Sequence, residues 1–279
     1  MFTLNCKGQL LEIAEPIVMG ILNVTPDSFY AGSRSNSVDD ILKRANEMIA
    51  EGAMIIDIGG QSTRPGSIKI SAQEELDRVI PAVEAIHQQF PEQLISIDTF
   101  YASVAKEAVA AGASIVNDVS AGTIDDDLLT SVAEMRVPYV LMHMKGHPEN
   151  MQENPQYKNV AMEVFDFLNF KIAELTQAGI LDIIVDPGFG FGKTANHNFR
   201  LLHELSWLSQ MGKPIMVGIS RKGTIYRTLG VTAEEALNGS TVMHTIALMN
   251  GANILRVHDV KEAMEAVKIY TVYKKAKEQ

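Results

Sequence analysis

The amino-acid sequence predicts an α/β protein, a (β/α)8 TIM barrel built as a single domain over residues 1–279. Eight short runs rich in Ile, Val and Met alternate with longer stretches of helical periodicity, as βαβ units require. Most of the runs are apolar at consecutive positions, the pattern of parallel strands buried on both faces. Eight units in 279 residues is about 35 residues each, in keeping with the ~250 residues usual for this architecture. An open doubly wound sheet would usually stop at five or six strands, and no stretch rich in Pro, Gly or Ser marks a second domain.

In chain order, the predicted strands cover 17–22, 54–58, 94–97, 114–116, 139–142, 183–185, 215–219 and 253–257. Between them, amphipathic helices are clearest over 38–51, 72–89, 101–110, 159–177 and 235–249, and 261–275 closes the chain with another. Gly52-Ala53, Gly112-Ala113 and Gly251-Ala252 each follow a helix and precede a strand. Gly is thereby placed where positive φ costs least, and the repeats GAMII, GASIV and GANIL predict equivalent turns. The stretch 144–158 reads as a long loop between strand and helix. Loops 23–37 and 59–71 carry Arg34 and Arg64 among hydroxyls and glycines, and resemble mobile lids able to offer anion-binding N–H groups.

Charge narrows the function. Lys plus Arg number 24 against 34 Asp plus Glu, a net −10 that repels the phosphate backbone and argues against nucleic-acid binding. The lone Cys6 excludes a disulfide within the chain and points to a reducing compartment. The opening MFTLNCKGQLLEIAEP has no secretory pattern, and no window reaches the ~18 apolar residues of a membrane span. A cytoplasmic protein without membrane contact is the expectation.

In barrels of this kind the active site forms where the strands end. Just past the apolar runs stand Asn23, Asp57, Asp98, Asn117 with Asp118, His143, Asp186, Ser220-Arg221-Lys222, and Arg256 with His258. Taken singly, Asp57 reads as a helix N-cap or turn former and Lys222 as a solvated lysine. His143 and His147 have the spacing of helical zinc ligands, but Gly146 and Pro148 break the helix that the pairing needs. Solvation does not demand polar residues at one end of six or more strands, so together they mark a site. The segment from Gly188 to Thr194, GFGFGKT, fails as a phosphate loop because 187 is Pro. It fails as a dinucleotide fingerprint because 193 is Lys. Its glycines are expected to let backbone approach a flat ligand, with Phe191 as the stacking face.

The segments MGILNVTPDSF, IIDIGGQSTRPGS, ISIDT, IVNDVSAG, LMHMKG, DPGFGFGK, GISRKG and ILRVHDV, in this order and spacing, resemble the dihydropteroate synthase family of folate biosynthesis. The resemblance runs from about Met19 to Val260. It implies a transferase that condenses 6-hydroxymethyl-7,8-dihydropterin pyrophosphate with p-aminobenzoate, giving 7,8-dihydropteroate and pyrophosphate, assisted by Mg²⁺ and inhibited by sulfonamides.

The resemblance also assigns roles. Asp186 takes the pterin's paired N–H donors, Asn117 and Asp98 meet other heteroatoms, and Lys222 meets the carbonyl edge. Met142 and Phe191 contact the ring, while Arg256 serves pterin and pyrophosphate. The pyrophosphate side adds Asn23, Thr63, Arg64 and His258, with Asn23 as the metal-proximal residue. p-Aminobenzoate would meet Thr63, Arg64, Pro65, Phe191 and Ser220. Asp98, Lys222, Arg256 and Arg64 form the expected catalytic set, and the family usually forms homodimers.

The chain departs from the family pattern at Ala31, where an acidic residue is usual, and at Gln61, where Glu is common; both bear on loop closure. Two other readings share the barrel: a pterin-binding methyltransferase, and a noncatalytic pterin-binding paralogue. The pyrophosphate-type loop at Arg64, the Ser220-Arg221-Lys222 triplet and the Arg256-Val257-His258 triplet weigh against the first. The intact set of Asn23, Arg64, Asp98 and Lys222 weighs against the second.

Overall fold

A computed structural model describes residues 1–25, 34–61, 69–146, 151 and 153–276, with only the backbone described over 34–37. The chain opens with a feature the sequence reading did not anticipate. Strands β1 (Phe2–Cys6) and β2 (Gln9–Ile13) pair antiparallel from Phe2 opposite Ile13 to Cys6 opposite Gln9. Lys7 and Gly8 between them have φ of 56° and 95°, the paired positive values that a two-residue type I′ hairpin needs. Alternation turns Leu4, Cys6, Leu11 and Ile13 to one buried face.

Eight parallel strands follow: β3 (Ile17–Asn23), β4 (Ile55–Gly59), β5 (Leu94–Asp98), β6 (Ile115–Asp118), β7 (Tyr139–Met142), β8 (Ile183–Asp186), β9 (Met216–Val217) and β10 (Ile254–Val257). Their hydrogen-bonded order is β8-β7-β6-β5-β4-β3-β10-β9, and a parallel bridge from Val185 to Ile215 brings the two ends together. Sequential strands are therefore neighbours around a ring, the predicted barrel. All eight predicted strands are present, although the seventh keeps only two residues of ladder pairing.

Around the barrel run α1 (Arg34–Glu51), α2 (Ala72–Gln89), α3 (Ala102–Ala111), α4 (Leu128–Met135), α5 (Val160–Gln177), α6 (Ala195–His203), a 3-10 segment (Leu205–Met211), α7 (Gly223–Leu229), α8 (Leu237–Met249) and α9 (Val260–Ala276). The predicted Gly-Ala turns are equivalent. Gly52, Gly112 and Gly251 have φ of 105°, 131° and 99°. The following Ala53, Ala113 and Ala252 N–H groups donate back to Met48, Ala108 and Ala247 carbonyls at 2.9, 2.9 and 3.0 Å, closing each helix with a 6→1 bond.

Two cores result. One lies between the strands and the helices. The other fills the barrel's lower interior with Ile17 and Met19 from β3 and one residue from each other strand, Ile55, Leu94, Ile115, Val140, Ile184, Met216 and Ile254, capped by the buried face of the hairpin. At the opposite end Phe100, Val119, Met142, Met151 and Phe191 form a small apolar cluster beside the strand termini.

Candidate active site

The last residues of the strands converge on one polar network. Asp57 in β4 is fully buried, and its Oδ2 accepts from Asn117 Nδ2 at 3.0 Å and from Arg256 Nε at 2.6 Å. Arg256 Nη2 donates to Asp98 Oδ2 at 2.5 Å, so one guanidinium from β10 bridges carboxylates from β4 and β5. Asp57 is thus a strand residue inside the barrel and not the helix cap suggested by its type alone; its Oδ1 has no hydrogen-bond partner among the described residues.

Burial pushes the Asp98 carboxyl above the usual carboxylate range, against the pull of Arg256. Burial works against charge on Arg256 as well, but Asp57 and Asp98 outweigh it and hold the guanidinium protonated. Asp186 ends β8 nearly buried, and its carboxyl is raised by burial against the opposing effects of Lys222 and the Gly188 N–H.

Lys222 stands at the N-terminus of α7. Its Nζ donates to the Phe189 carbonyl at 2.6 Å and lies 4.6 Å from the centroid of the Phe191 ring. Burial lowers it to about 8, partly countered by Asp186. Arg221 precedes it with φ of 52°, a left-handed conformation that is strained for a side-chain-bearing residue. A bidentate pair to Asp259, at 2.7 and 2.8 Å, and donation to the Ala233 carbonyl at 3.0 Å hold it there. The turn presents Ser220 and Lys222 on either side. Ser220 Oγ accepts from the His258 N–H at 3.3 Å and lies 3.2 Å from His258 Nδ1. Burial and the charge of Arg256 lower His258 to about 4, leaving it neutral.

The structure therefore brings together Asp98, Asn117, Asp186, Lys222, Arg256, Ser220 and His258, with Met142 and Phe191 buried beside them. Asn23 ends β3 exposed at the same rim, its Oδ1 3.8 Å from where a Cβ on Gly59 would stand. Thr63, Arg64 and Pro65, with Ala31 and His147, lie outside the described residues. Gln61 Oε1 accepts from the Ile70 N–H at 3.2 Å, tying the two ends of the second loop together. Asp118 is occupied structurally: Tyr139 hydroxyl and the Ser120 and Gly122 N–H groups all donate to it at 2.7 Å. His143 Nδ1 faces Lys193 Nζ at 2.9 Å, which leaves no lone pair there for a metal.

Sequence reasoning passed over Lys193, Glu75 and Asp259. The first lies in a segment whose glycines and Phe191 carry the expected ligand contact and in which the lysine served only to exclude a dinucleotide fingerprint, and the other two resemble ordinary helix-surface acids. Among the described residues no group of three or more His, Cys, Asp or Glu could hold a metal ion. A neutral Asn23 amide oxygen at an exposed rim suits a hard cation that keeps most of its waters and takes its remaining ligands from a substrate's phosphates.

A closed barrel with paired carboxylates, paired cations and an aromatic face at its C-terminal rim defines an enzyme that holds a flat, polar heterocycle next to an anion. The chain belongs to the pterin binding enzymes, whose family profile matches residues 19–258, and within them to the dihydropteroate synthase family. It is 47% identical to the dihydropteroate synthase of Escherichia coli K12 over 277 residues, 99% of this chain and 98% of that one. The Yersinia pestis dihydropteroate synthase, solved as a sulfonamide drug complex, superposes with a TM-score of 0.92 at 43% identity, covering 98% of this chain and all of that one. The Xanthomonas albilineans synthase is similar with 7,8-dihydropteroate bound (TM-score 0.87, 38% identity) and with 4-aminobenzoic acid bound (TM-score 0.91, 41% identity), covering 98% of both chains in each case.

Proposed function

We propose that this chain is a dihydropteroate synthase that joins 6-hydroxymethyl-7,8-dihydropterin pyrophosphate to p-aminobenzoate and releases pyrophosphate. The observation that carries the reading is the convergence of Asp98, Asn117, Asp186, Lys222 and Arg256 at one rim of a chain that matches such synthases along its whole length.

The reaction is a dissociative substitution. The bond between the pterin methylene and the pyrophosphate oxygen breaks, and its electron pair leaves with pyrophosphate. The cation left behind is spread over the dihydropterin ring. Buried Asp98 stabilises that positive charge, and Arg256 faces the departing anion. Asp186 accepts the pterin's paired N–H donors and Lys222 donates to its carbonyl edge. p-Aminobenzoate then forms the C–N bond with its nitrogen lone pair and sheds a proton to solvent. An arylamine is neutral at pH 7, so no general base is required. The family resemblance assigns p-aminobenzoate to the second-loop residues Thr63, Arg64 and Pro65 together with Phe191 and Ser220, and sulfonamides would compete there. Mg²⁺, taken up near Asn23 with the substrate, would offset charge on the pyrophosphate. His258 and Arg64 complete the anion side.

A cytoplasmic homodimer is part of the reading. No described helix is long and apolar enough to cross a membrane, and the lone cysteine is buried and unpaired. On adjacent α8 and α9, Val242, Ile246 and Met249 form one exposed apolar row and Ile269, Val272 and Tyr273 a second.

The test is pyrophosphate release from the pterin substrate with Mg²⁺, with and without p-aminobenzoate. Release accelerated by p-aminobenzoate, with equimolar dihydropteroate, is expected. Pterin binding without any release would instead favour the methyltransferase or noncatalytic reading.

A further inference from the structure

The loop after β8 encloses an ammonium group that the reaction leaves unused. Lys193 is 2% exposed. Its Nζ lies 2.9 Å from the Gly188 carbonyl, 3.1 Å from that of Phe191, 3.3 Å from that of His143 and 2.9 Å from His143 Nδ1. These partners are three main-chain carbonyls and an imidazole, not a carboxylate. A buried lysine is a costly choice where packing alone is needed, because an apolar side chain would fill the space without desolvating a charge.

What the ammonium holds is a glycine-rich turn that closes on itself through one bond, from the Phe191 N–H to the Gly188 carbonyl at 3.1 Å. Gly188, Gly190 and Gly192 take φ of 69°, 83° and 62°, and a Cβ on Gly188 or Gly192 would overlap the carbonyls of His143 or Lys145. The glycine loop curls so that two of its carbonyls point inward at Lys193. Neighbouring elements fix others of its polar groups: the Gly192 carbonyl accepts from Tyr157 hydroxyl at 2.9 Å, the Gly190 N–H donates to Asn198 Oδ1 at 2.9 Å, and the Phe189 carbonyl accepts from Lys222 Nζ. The loop ends in two groups with assigned roles. The Gly188 N–H donates to Asp186 Oδ1 at 2.7 Å, and the His143 N–H donates to the Asp186 carbonyl at 3.0 Å. Phe191, whose carbonyl Lys193 holds, supplies the ring face.

We propose that Lys193 is a positioning residue: its buried ammonium gathers Gly188, Phe191 and His143 from behind and so fixes the Asp186 carboxylate and the Phe191 ring in the arrangement that receives the pterin. The proposal rests on the pterin reading of the site. Donation to Nδ1 leaves the His143 ring proton on Nε2, and burial together with Lys193 keeps that ring neutral, its pKa lowered to about 2. Burial also lowers Lys193 well below the usual lysine range, against Asp186, and its surrounding carbonyl and imidazole acceptors favour the protonated form. A charged histidine there would repel the ammonium and open the loop.

The experiment compares K193M in the wild-type and D186N backgrounds, measuring the affinity for 6-hydroxymethyl-7,8-dihydropterin by titration calorimetry. In the wild-type background K193M should weaken binding at least tenfold. In D186N, where the carboxylate is already gone, the further loss should be under threefold. K193R, which keeps the charge and the donors, should recover affinity to within about threefold of wild type. Equal losses in both backgrounds would show that Lys193 serves folding in general, and no loss in either would remove it from the site; both overturn the proposal. If K193M does not fold, K193Q, shorter and neutral but still a donor, carries the same comparison. A wild-type protein that binds no pterin, or a D186N variant with unchanged affinity, would count against the pterin reading itself and not against Lys193.

Discussion

Arg256 and Asp98 touch through a single 2.5 Å hydrogen bond, although they come from strands 158 residues apart in sequence and meet only because the barrel sets β10 and β5 facing the same interior. The second arm of that guanidinium rests on Asp57. Asp57 aims the cation, and Asp98 shares it. Replacing Asp57 by Asn keeps the shape and removes the charge that aims Arg256. We expect kcat/KM to fall 10–100-fold, about 1.4–2.7 kcal/mol of transition-state stabilisation, with KM changing less than kcat. Steady-state kinetics with both substrates checks this, and an unchanged kcat would mean that Asp98 alone orients Arg256.

Asp186→Asn separates binding from folding. The amide oxygen can still accept from the Gly188 N–H, so the loop should stay in place. The paired acceptor for the pterin is lost, however. Pterin affinity should weaken by about 2–4 kcal/mol while the urea midpoint moves little. Calorimetric titration beside an unfolding curve reads both.

The lowered Lys222 predicts an alkaline limb. Its ammonium should be lost as pH rises through about 8, and kcat/KM for the pterin substrate should fall with it. Its effect on folding has the opposite sign. A depressed lysine costs stability below about 8, and that cost fades as pH rises toward the ordinary 10.5. Activity should therefore decline as pH rises through an interval in which this group weakens the fold less and less, which distinguishes a lost cation from unfolding. Lys222→Arg should move the limb upward even at reduced rate; a limb that stays near 8 belongs to another group.

Glu75, on the inner face of α2, is fully buried. Burial and the neighbouring Asp98 push it up to about 8, against the Thr99 hydroxyl. In the unfolded chain it ionises near 4.5, so its contribution is fully present below that pH and is lost as pH rises toward 8. Glu75→Gln should stabilise the protein at pH 8 by about 1–3 kcal/mol and have almost no effect at pH 4.5. Urea titrations at the two pH values decide; equal effects would show that the folded protein holds the carboxyl ionised.

The exposed rows on α8 and α9 predict the assembly. Ile269→Glu with Ile246→Glu should turn a dimer into a monomer by sedimentation velocity, without disturbing the barrel, because both side chains point outward. A wild type that already sediments as a monomer, or a dimer that both substitutions leave intact, would overturn an interface on these rows.

Where consecutive apolar residues meet Gly or Pro, the sequence locates strands almost to the residue, and 72–89 coincides with α2. What escaped was short or local. The hairpin alternates Leu4, Cys6, Leu11 and Ile13 around Lys7-Gly8, a period-2 signal spread over two five-residue strands. Helices such as Leu128–Met135 and Gly223–Leu229 are two turns long, too brief for a helical period to stand out. In the site, residue types at strand ends were readable because barrel geometry sends them to one rim. Pairings were not: that Asp57 holds Arg256, or that Asp259 holds Arg221, depends on distances across 199 and 38 residues. Lys193 shows the limit most clearly. The position that spoiled the dinucleotide pattern is the one around which the loop is built.

The hairpin packs over the lower interior and leaves the polar rim as the end of the barrel where chemistry can occur. Leu4, Cys6, Leu11 and Ile13 pack against buried residues from every strand, so among the described residues the barrel's lower end is filled, and the polar groups face the rim that carries Asp98 and Arg256. On the proposed reading, a product that spans both substrate positions would be released at the same rim where its two halves are joined.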